Sequence, residues 1–332
     1  MINPSRIFVI GSNSFSGSNF INKSLLLGNK IIGISRSPEI SSEFSGYYEN
    51  SKKQNFLFHE LNINSNYNEI VQLINESKSD VIVNFAAQSM VSQSWITPED
   101  WYETNLVSFS KLISGISKIP RVKKFIQFST PEVYGSTEGW IKESFNFSPN
   151  TPYAISRAAA DWHLKASFEN YNFPVIFTRA SNVYGEHQQL YRIIPRAILS
   201  ILLGQKLPLQ GGGKSVRSFI HMDDVSIAVN EIIKFGKIGE SYHISTNKMI
   251  SILDLVSEIA RQMEIDVESI IDSVPERPGK DFAYQLNSEK IRFELGWQDE
   301  ISLEEGLQRT ILWVKSNLNF FRHLPVEYSH KR

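Results

Sequence analysis

The chain has 332 residues, 41% of them hydrophobic and 21% charged, which is enough apolar content for one large core and a smaller one. Its formal net charge is -1 with no run of Lys or Arg, which excludes the electrostatic footprint of a nucleic-acid binder, so an anionic ligand has to be held by local groups. The absence of cysteine excludes disulfides, thiol nucleophiles and thiolate metal sites, and no metal site is expected. Taken in chain order, Met1 to Arg6 runs straight into an apolar segment without the regions of a signal peptide. No apolar stretch approaches the roughly 20 residues that cross a bilayer. A cytoplasmic protein with no membrane association is expected.

Short apolar runs at Ile7 to Ile10, Ile31 to Ile34, Phe56 to Phe58, Val81 to Phe85, Phe125 to Phe128 and Val175 to Thr178 are separated by segments long enough for a helix. This rhythm predicts βαβ units and a parallel sheet buried on both faces, a doubly wound α/β fold of Rossmann type. After about Gly185 the pattern changes. Ile193 to Leu203 and Ile252 to Met263 read as amphipathic helices, separated by glycine and proline turns, and predict a smaller C-terminal α/β unit. The expected division is a dinucleotide-binding part over residues 1–184, with a returning segment near 218–248, and a substrate-binding part over 185–332.

The first strand leads into Gly11-Ser12-Asn13-Ser14-Phe15-Ser16-Gly17 and then a helix, the arrangement that offers a pyrophosphate free backbone N–H groups and a positive helix end. Gly11 suits the turn and Gly17 a close helix–strand contact, while Ser14 stands where the usual pattern has a middle glycine. The second strand ends Ser35-Arg36, with no acid for an adenosine ribose diol. A hydroxyl followed by a guanidinium suits a 2′-phosphate, which favours NADP over NAD; the other reading of Arg36 is a solvated surface residue. Asn62 is either an adenine partner or a turn residue.

Further on, Ser129-Thr130-Pro131-Glu132-Val133-Tyr134-Gly135 follows an apolar strand, and Tyr153-Ala154-Ile155-Ser156-Arg157 opens a helix. Tyr153 and Arg157 are four apart and share one helix face. A nearby cation favours the phenolate, so Arg157 is expected to lower the Tyr153 pKa and make it a base near neutral pH.

These segments, with Asn84-Phe85-Ala86-Ala87-Gln88-Ser89, Glu103-Thr104-Asn105, Thr151 to Asp161, Arg179 to Gly185, Arg217 to His221, Arg277-Pro278-Gly279 and Leu295-Gly296-Trp297, resemble the extended short-chain dehydrogenase/reductase family. Within it they resemble the nucleoside-diphosphate-hexose 4,6-dehydratases. The resemblance implies a closed redox cycle on a nucleotide-activated hexose, dTDP-glucose ahead of GDP-mannose. Tyr153, assisted by Thr130, would take the 4-hydroxyl proton, and Glu132 the C5 hydrogen as the 6-hydroxyl leaves. It further implies a tightly held NADP or NAD walled by Asn62, Ile63, Ala86, Ala87, Gln88, Asn105, Tyr153 and Arg157, together with the loop residues Gly11, Asn13, Ser14, Phe15, Ser16 and Gly17. The substrate contacts implied are Ser89, Asn182, Arg192, Leu209, Arg217 and Arg277, and the assembly implied is a homodimer paired through the helices after Trp95 and Thr151. Three positions depart from the pattern: Ser14, Pro131 where dTDP-glucose dehydratases carry an acid, and Arg157 where many members carry Lys. A UDP-glucuronate decarboxylase, an NDP-sugar epimerase or a catalytically weak nicotinamide-binding protein are the competing readings.

Overall fold

The computed structural model describes residues 5–275 and 284–331. Seven strands form one parallel sheet: β1 (Arg6–Ile10), β2 (Lys30–Ser35), β3 (Phe56–Glu60), β4 (Val81–Asn84), β5 (Lys124–Ser129), β6 (Val175–Ala180) and β7 (Ser241–Ile244). Their spatial order is 3-2-1-4-5-6-7 with every pairing parallel. The six apolar runs predicted as strands lie in β1 to β6, and β7 joins the far edge after a long excursion of the chain. The helices used below are α1 (Phe15–Leu26), α2 (Tyr67–Ser77), α3 (Pro98–Tyr102), α4 (Phe109–Ile116), α5 (Pro152–Tyr171), α6 (Ile193–Leu203), α7 (Met222–Phe235), α8 (Ile252–Gln262), α9 (Glu289–Leu295) and α10 (Leu303–Ser316).

Alternation along β1 explains the layering. Ile7 and Val9 point into a core with Phe20, Ile21 and Leu25 of α1 and Val225, Val229 and Ile232 of α7. Phe8 and Ile10 point the other way, onto Ile70 and Ile74 of α2, Leu112 and Ile113 of α4 and Leu164 of α5. Burying each such side chain contributes roughly 1.5–3 kcal/mol, so the sheet is held from both faces. A separate core gathers Ile194 and Ile198 of α6, Leu255 and Ile259 of α8 and Leu307 and Ile311 of α10 around Leu207, Leu209 and Phe219. A polar knot ties α10 to the start of α7: Arg309 donates to Glu186 (2.8 Å) and Asp223 (2.9 Å), and Glu186 also pairs with Nε2 of His221 at 2.9 Å. Burial alone would raise the Glu186 pKa, but the His221 hydrogen bond, a backbone N–H and the charges of His221 and Arg309 hold it at about 2.

The strand order reverses between β1 and β4, where the chain has moved outward to β3 and comes back on the other side. Loops leaving the carboxyl ends of two such strands diverge and open a crevice, and this is where the candidate site residues collect. Among the described residues, no helix is long and apolar enough to cross a membrane.

Candidate active site

A cleft of about 680 Å³ runs from the loop after β1 to the second core, and a recess of about 230 Å³ beside it shares Ser14, Arg36, Phe85, Ala87 and Gln88 as walls. Both volumes lie within or near the range typical of small-molecule sites. The recess is lined by Gly11, Asn13, Ser35, Asn62, Ile63 and Ala86 as well, and none of the described residues lining it is a carboxylate.

The loop is built for close approach. Gly11 has φ +86°, and a Cβ there would fall 2.6 Å from the Ala86 nitrogen; one on Gly17 would fall 2.3 Å from the Gly11 carbonyl oxygen. Ser14, the departure from the glycine pattern, is the N-cap of α1: its hydroxyl accepts from Gly17 N (3.0 Å) and donates to the Gly11 carbonyl (2.7 Å). The first-turn amides of a helix have no intrahelical acceptor, and Phe15 and Ser16 line the cleft at that end. Asn13 fastens the loop to the segment after β2, donating its backbone N–H to Ser35 Oγ (2.9 Å) and its amide to the Ser37 and Pro38 carbonyls (3.1 and 2.8 Å). Arg36 donates to the Lys331 carbonyl at 2.8 Å. Asn62 is occupied as a turn residue, its Oδ1 accepting from Asn64 N at 3.0 Å, although it also lines the recess. Asn105 does not appear in either wall. It sits in a π-helical turn, Glu103–Ser108, and its amide is spent on the Gln88 backbone (2.8 and 3.0 Å) and Ser156 Oγ (2.9 Å), so it positions Gln88.

Thr130, Glu132, Tyr153 and Arg157 all line the larger cleft. Thr130 caps a single 3-10 turn, Pro131–Tyr134, by accepting from Glu132 N at 3.3 Å, and Pro131 fills the first position, where its fixed φ suits the turn and its missing N–H costs nothing. Thr151 caps α5 in the same way through Ala154 N (3.1 Å), with Pro152 next; Tyr153 therefore falls in the first turn and Arg157 one turn later on the same face. Arg157 donates to the Phe128 carbonyl at 2.5 Å, and its buried Nε has no hydrogen-bond partner among the described residues. The turn over Pro131–Tyr134 is braced from behind at both ends. Ser129 donates to Asp161 (2.7 Å), Asp161 pairs with Arg179 (2.7 Å, both side chains fully buried), and Arg179 donates to the Tyr134 hydroxyl (3.2 Å), which also bonds His243 Nε2 (2.8 Å).

The Tyr153 phenol does not behave as its helix face predicts. Burial pushes its pKa above the ordinary value and the Glu132 charge adds to the rise, outweighing the downward pull of Arg157 and of a hydrogen bond with Thr130. A cation one turn away is felt, but the cost of burying a phenolate is larger.

Away from the recess, Ser89, Asn182, Arg192, Leu209 and Arg217 line the cleft. Arg192 lies 3.5 Å from Ser89 Oγ, and the Arg217 guanidinium sits 4.9 Å from the Tyr284 ring centre. Tyr284, whose hydroxyl donates to Asn182 Oδ1, and Tyr328 are cleft residues that sequence reasoning misses, since neither stands in a periodic segment or a motif. Arg277 lies outside the described residues.

A glycine cradle that any Cβ would fill, together with a buried arginine with an unpaired Nε, fits a dinucleotide, and the fold and these groups define an extended short-chain dehydrogenase/reductase. The model of the family described as GDP-mannose 4,6 dehydratase matches residues 8–310, and the chain belongs to that family. It is 36% identical over 280 residues to a dTDP-D-glucose 4,6-dehydratase of Bos taurus, covering 82% of this chain and 78% of that one. A dTDP-glucose 4,6-dehydratase of Xanthomonas campestris is 31% identical over 266 residues, covering 75% and 76%. The solved dTDP-glucose 4,6-dehydratase of Streptomyces venezuelae, with NAD bound, superposes with a TM-score of 0.86 at 30% identity over 95% of this chain and 98% of that one.

Proposed function

We propose that this chain converts a nucleoside-diphosphate hexose, dTDP-glucose first and GDP-mannose next, to the 4-keto-6-deoxy sugar with loss of water. The observation that carries the reading is the convergence of Thr130, Glu132, Tyr153 and Arg157 on one cleft that is continuous with the dinucleotide cradle. Residues 1–184 with 218–248 would hold the dinucleotide, and most of 185–332 the nucleotide sugar, with Asn182, Arg192 and Arg217 facing its diphosphate.

When bound, the nicotinamide supplies a hydride acceptor, a positive charge in the cleft and, at the end of the cycle, a hydride donor. Tyr153 takes the proton of the 4-hydroxyl, with the Thr130 hydroxyl as its hydrogen-bond partner. Arg157 offsets part of the cost of holding Tyr153 as the phenolate that takes this proton, and the step leaves it a neutral phenol. The C4 carbonyl acidifies the neighbouring C5–H, and Glu132 takes that proton as the C6–O bond breaks. Pro131 has no proton to give, so Glu132, now protonated, or a water delivers the proton that turns the departing hydroxyl into water. Each acid–base group of this kind is worth about 10² to 10⁴ in rate.

We also infer NADP over NAD, on the strength of Ser35, Arg36 and the absence of a carboxylate among the described residues lining the recess. The solved relatives carry NAD, so both dinucleotides belong in the test. A homodimer fits the exposed apolar residues Trp95, Ile96, Val107, Ile155 and Trp162, which stand on and around α3 and α5; light scattering should give the mass of two chains.

The deciding experiment supplies purified protein, preloaded with NAD or NADP in separate arms, with dTDP-glucose, GDP-mannose, UDP-glucose or CDP-glucose. A product lighter by one water is expected with dTDP-glucose, and formation of none from any of the four overturns the proposal. Tighter binding of NAD than of NADP overturns the cofactor preference alone.

A further inference from the structure

Residues 325–331 run from the second core to the loops of the dinucleotide cradle. At one end Leu324 and Val326 pack on the second core, and Glu327 pairs with Arg196 of α6 at 2.6 Å. At the other end a single carbonyl, that of Lys331, accepts from Arg36 after β2 and from Gln88 after β4, each at 2.8 Å. Those two loops stand on either side of β1, and both residues wall the recess. Between the ends, His330 lies stacked on the fully buried Trp101 of α3, with ring centres 4.9 Å apart and planes 15° apart. Its Nε2 is 2.9 Å from Asp100 Oδ2, and its Nδ1 is 3.3 Å from the Tyr328 hydroxyl. With Nε2–H donated to the carboxylate, Nδ1 is left to accept the phenol proton, which orients Tyr328. The Tyr328 ring lines the cleft and meets Tyr191 edge-on at 5.3 Å. Burial and Tyr191 push its phenol pKa up, while Arg36 and Arg192 pull it down, so the ring stands within the fields of a cofactor-side and a sugar-side cation.

We propose that residues 325–331 form a clasp over the dinucleotide, with Tyr328 a further contact of that ligand, so that release requires the Lys331 and His330 contacts to break. The proposal rests on the reading of the cleft as a dinucleotide site. Its chemical sense is that a cofactor which recovers its starting redox state in every turnover has no need to exchange, and slow release then costs the reaction nothing. The Arg36–carbonyl bond is charge-assisted and among the stronger neutral-acceptor bonds a cleft wall can make.

The test loads the full chain with NADP or NAD, dilutes it into an enzyme that consumes free dinucleotide, and follows release. His330→Ala and a chain stopped after Ser329 should each release the dinucleotide about tenfold faster or more, as the loss of one or two such contacts implies, with the melting temperature little changed. Tyr328→Phe, which keeps the ring but not the hydroxyl, should raise the dinucleotide Kd. If the shortened chain melts early, the two point variants carry the measurement. Wild type that holds a dinucleotide and variants that release it no faster overturn the clasp and leave the cleft assignment standing; wild type that binds neither dinucleotide overturns the assignment and the clasp with it.

Discussion

Tyr153 is a buried phenol beside a carboxylate and a cation of opposite effect, and the proposed function requires it to lose its proton there. Because Arg157 favours the charged phenolate, Arg157→Met should move the ascending limb of the kcat/KM profile to higher pH, and a limb that stays in place would mean the guanidinium does not tune the phenol. Glu132→Gln should lower product formation by about 10² to 10⁴ with little change in substrate Kd, and the substrate should no longer take up solvent deuterium at C5, as mass spectrometry would register. Exchange that persists would assign the C5 proton to another base. In the sequence these residues are singled out by a family resemblance, while their local setting follows from turn chemistry: Thr130 caps the turn that begins with Pro131, and Thr151 caps the helix that begins with Pro152. The upward shift of Tyr153 was not legible, since the amount of protein around a phenol is set by packing and not by its neighbours in sequence. The same holds for Arg36, whose partner is Lys331, 295 positions away.

At the scale of elements, the loop after β1 shows how a serine replaces a glycine at no loss. Ser14 gives α1 a capped first turn and tightens the loop through the Gly11 carbonyl. Ser14→Ala should therefore cost about 1 kcal/mol of stability and Ser14→Gly only a few tenths, read as shifts of the denaturation midpoint. Equal losses would assign the effect to the loop and not to the helix cap. The π-helical turn over Glu103–Ser108 is the element least visible beforehand, because the phase shift that one extra residue brings falls between helices of only five and eight residues, too short to display it. Its effect is to turn Asn105 toward Gln88 and Ser156, where it latches the loop after β4 to α5.

Over the whole molecule, one buried group, His243, and one half-buried group, Glu186, should govern the response to acid. Burial, with the Arg179 charge second, lowers the His243 pKa from 6.5 to about 3, so the unfolded chain binds one more proton than the folded one in that interval. Stability is then lost as pH falls from 6.5 toward 3, by about 1.4 kcal/mol per pH unit at most from this group. Glu186, at about 2 in the folded protein against 4.5 ordinarily, adds a loss that sets in below 4.5. Glu143 and Asp224, raised by burial, act in the opposite sense. The His243 share is the difference between wild type and His243→Gln in a pH series of melting temperatures, and parallel curves would show that His243 does not titrate on unfolding. Six strands of the sheet were readable from apolar runs, whereas β7 has four residues and is recognised only by what it pairs with. That pairing also sets a timetable for synthesis. β6 is buried along all six of its residues, yet the strand that covers its outer edge leaves the ribosome some sixty residues later, after the whole of α6 and α7. Until then a nascent chain carries an open row of backbone donors and acceptors, the form of this protein most exposed to mispairing with its own copies.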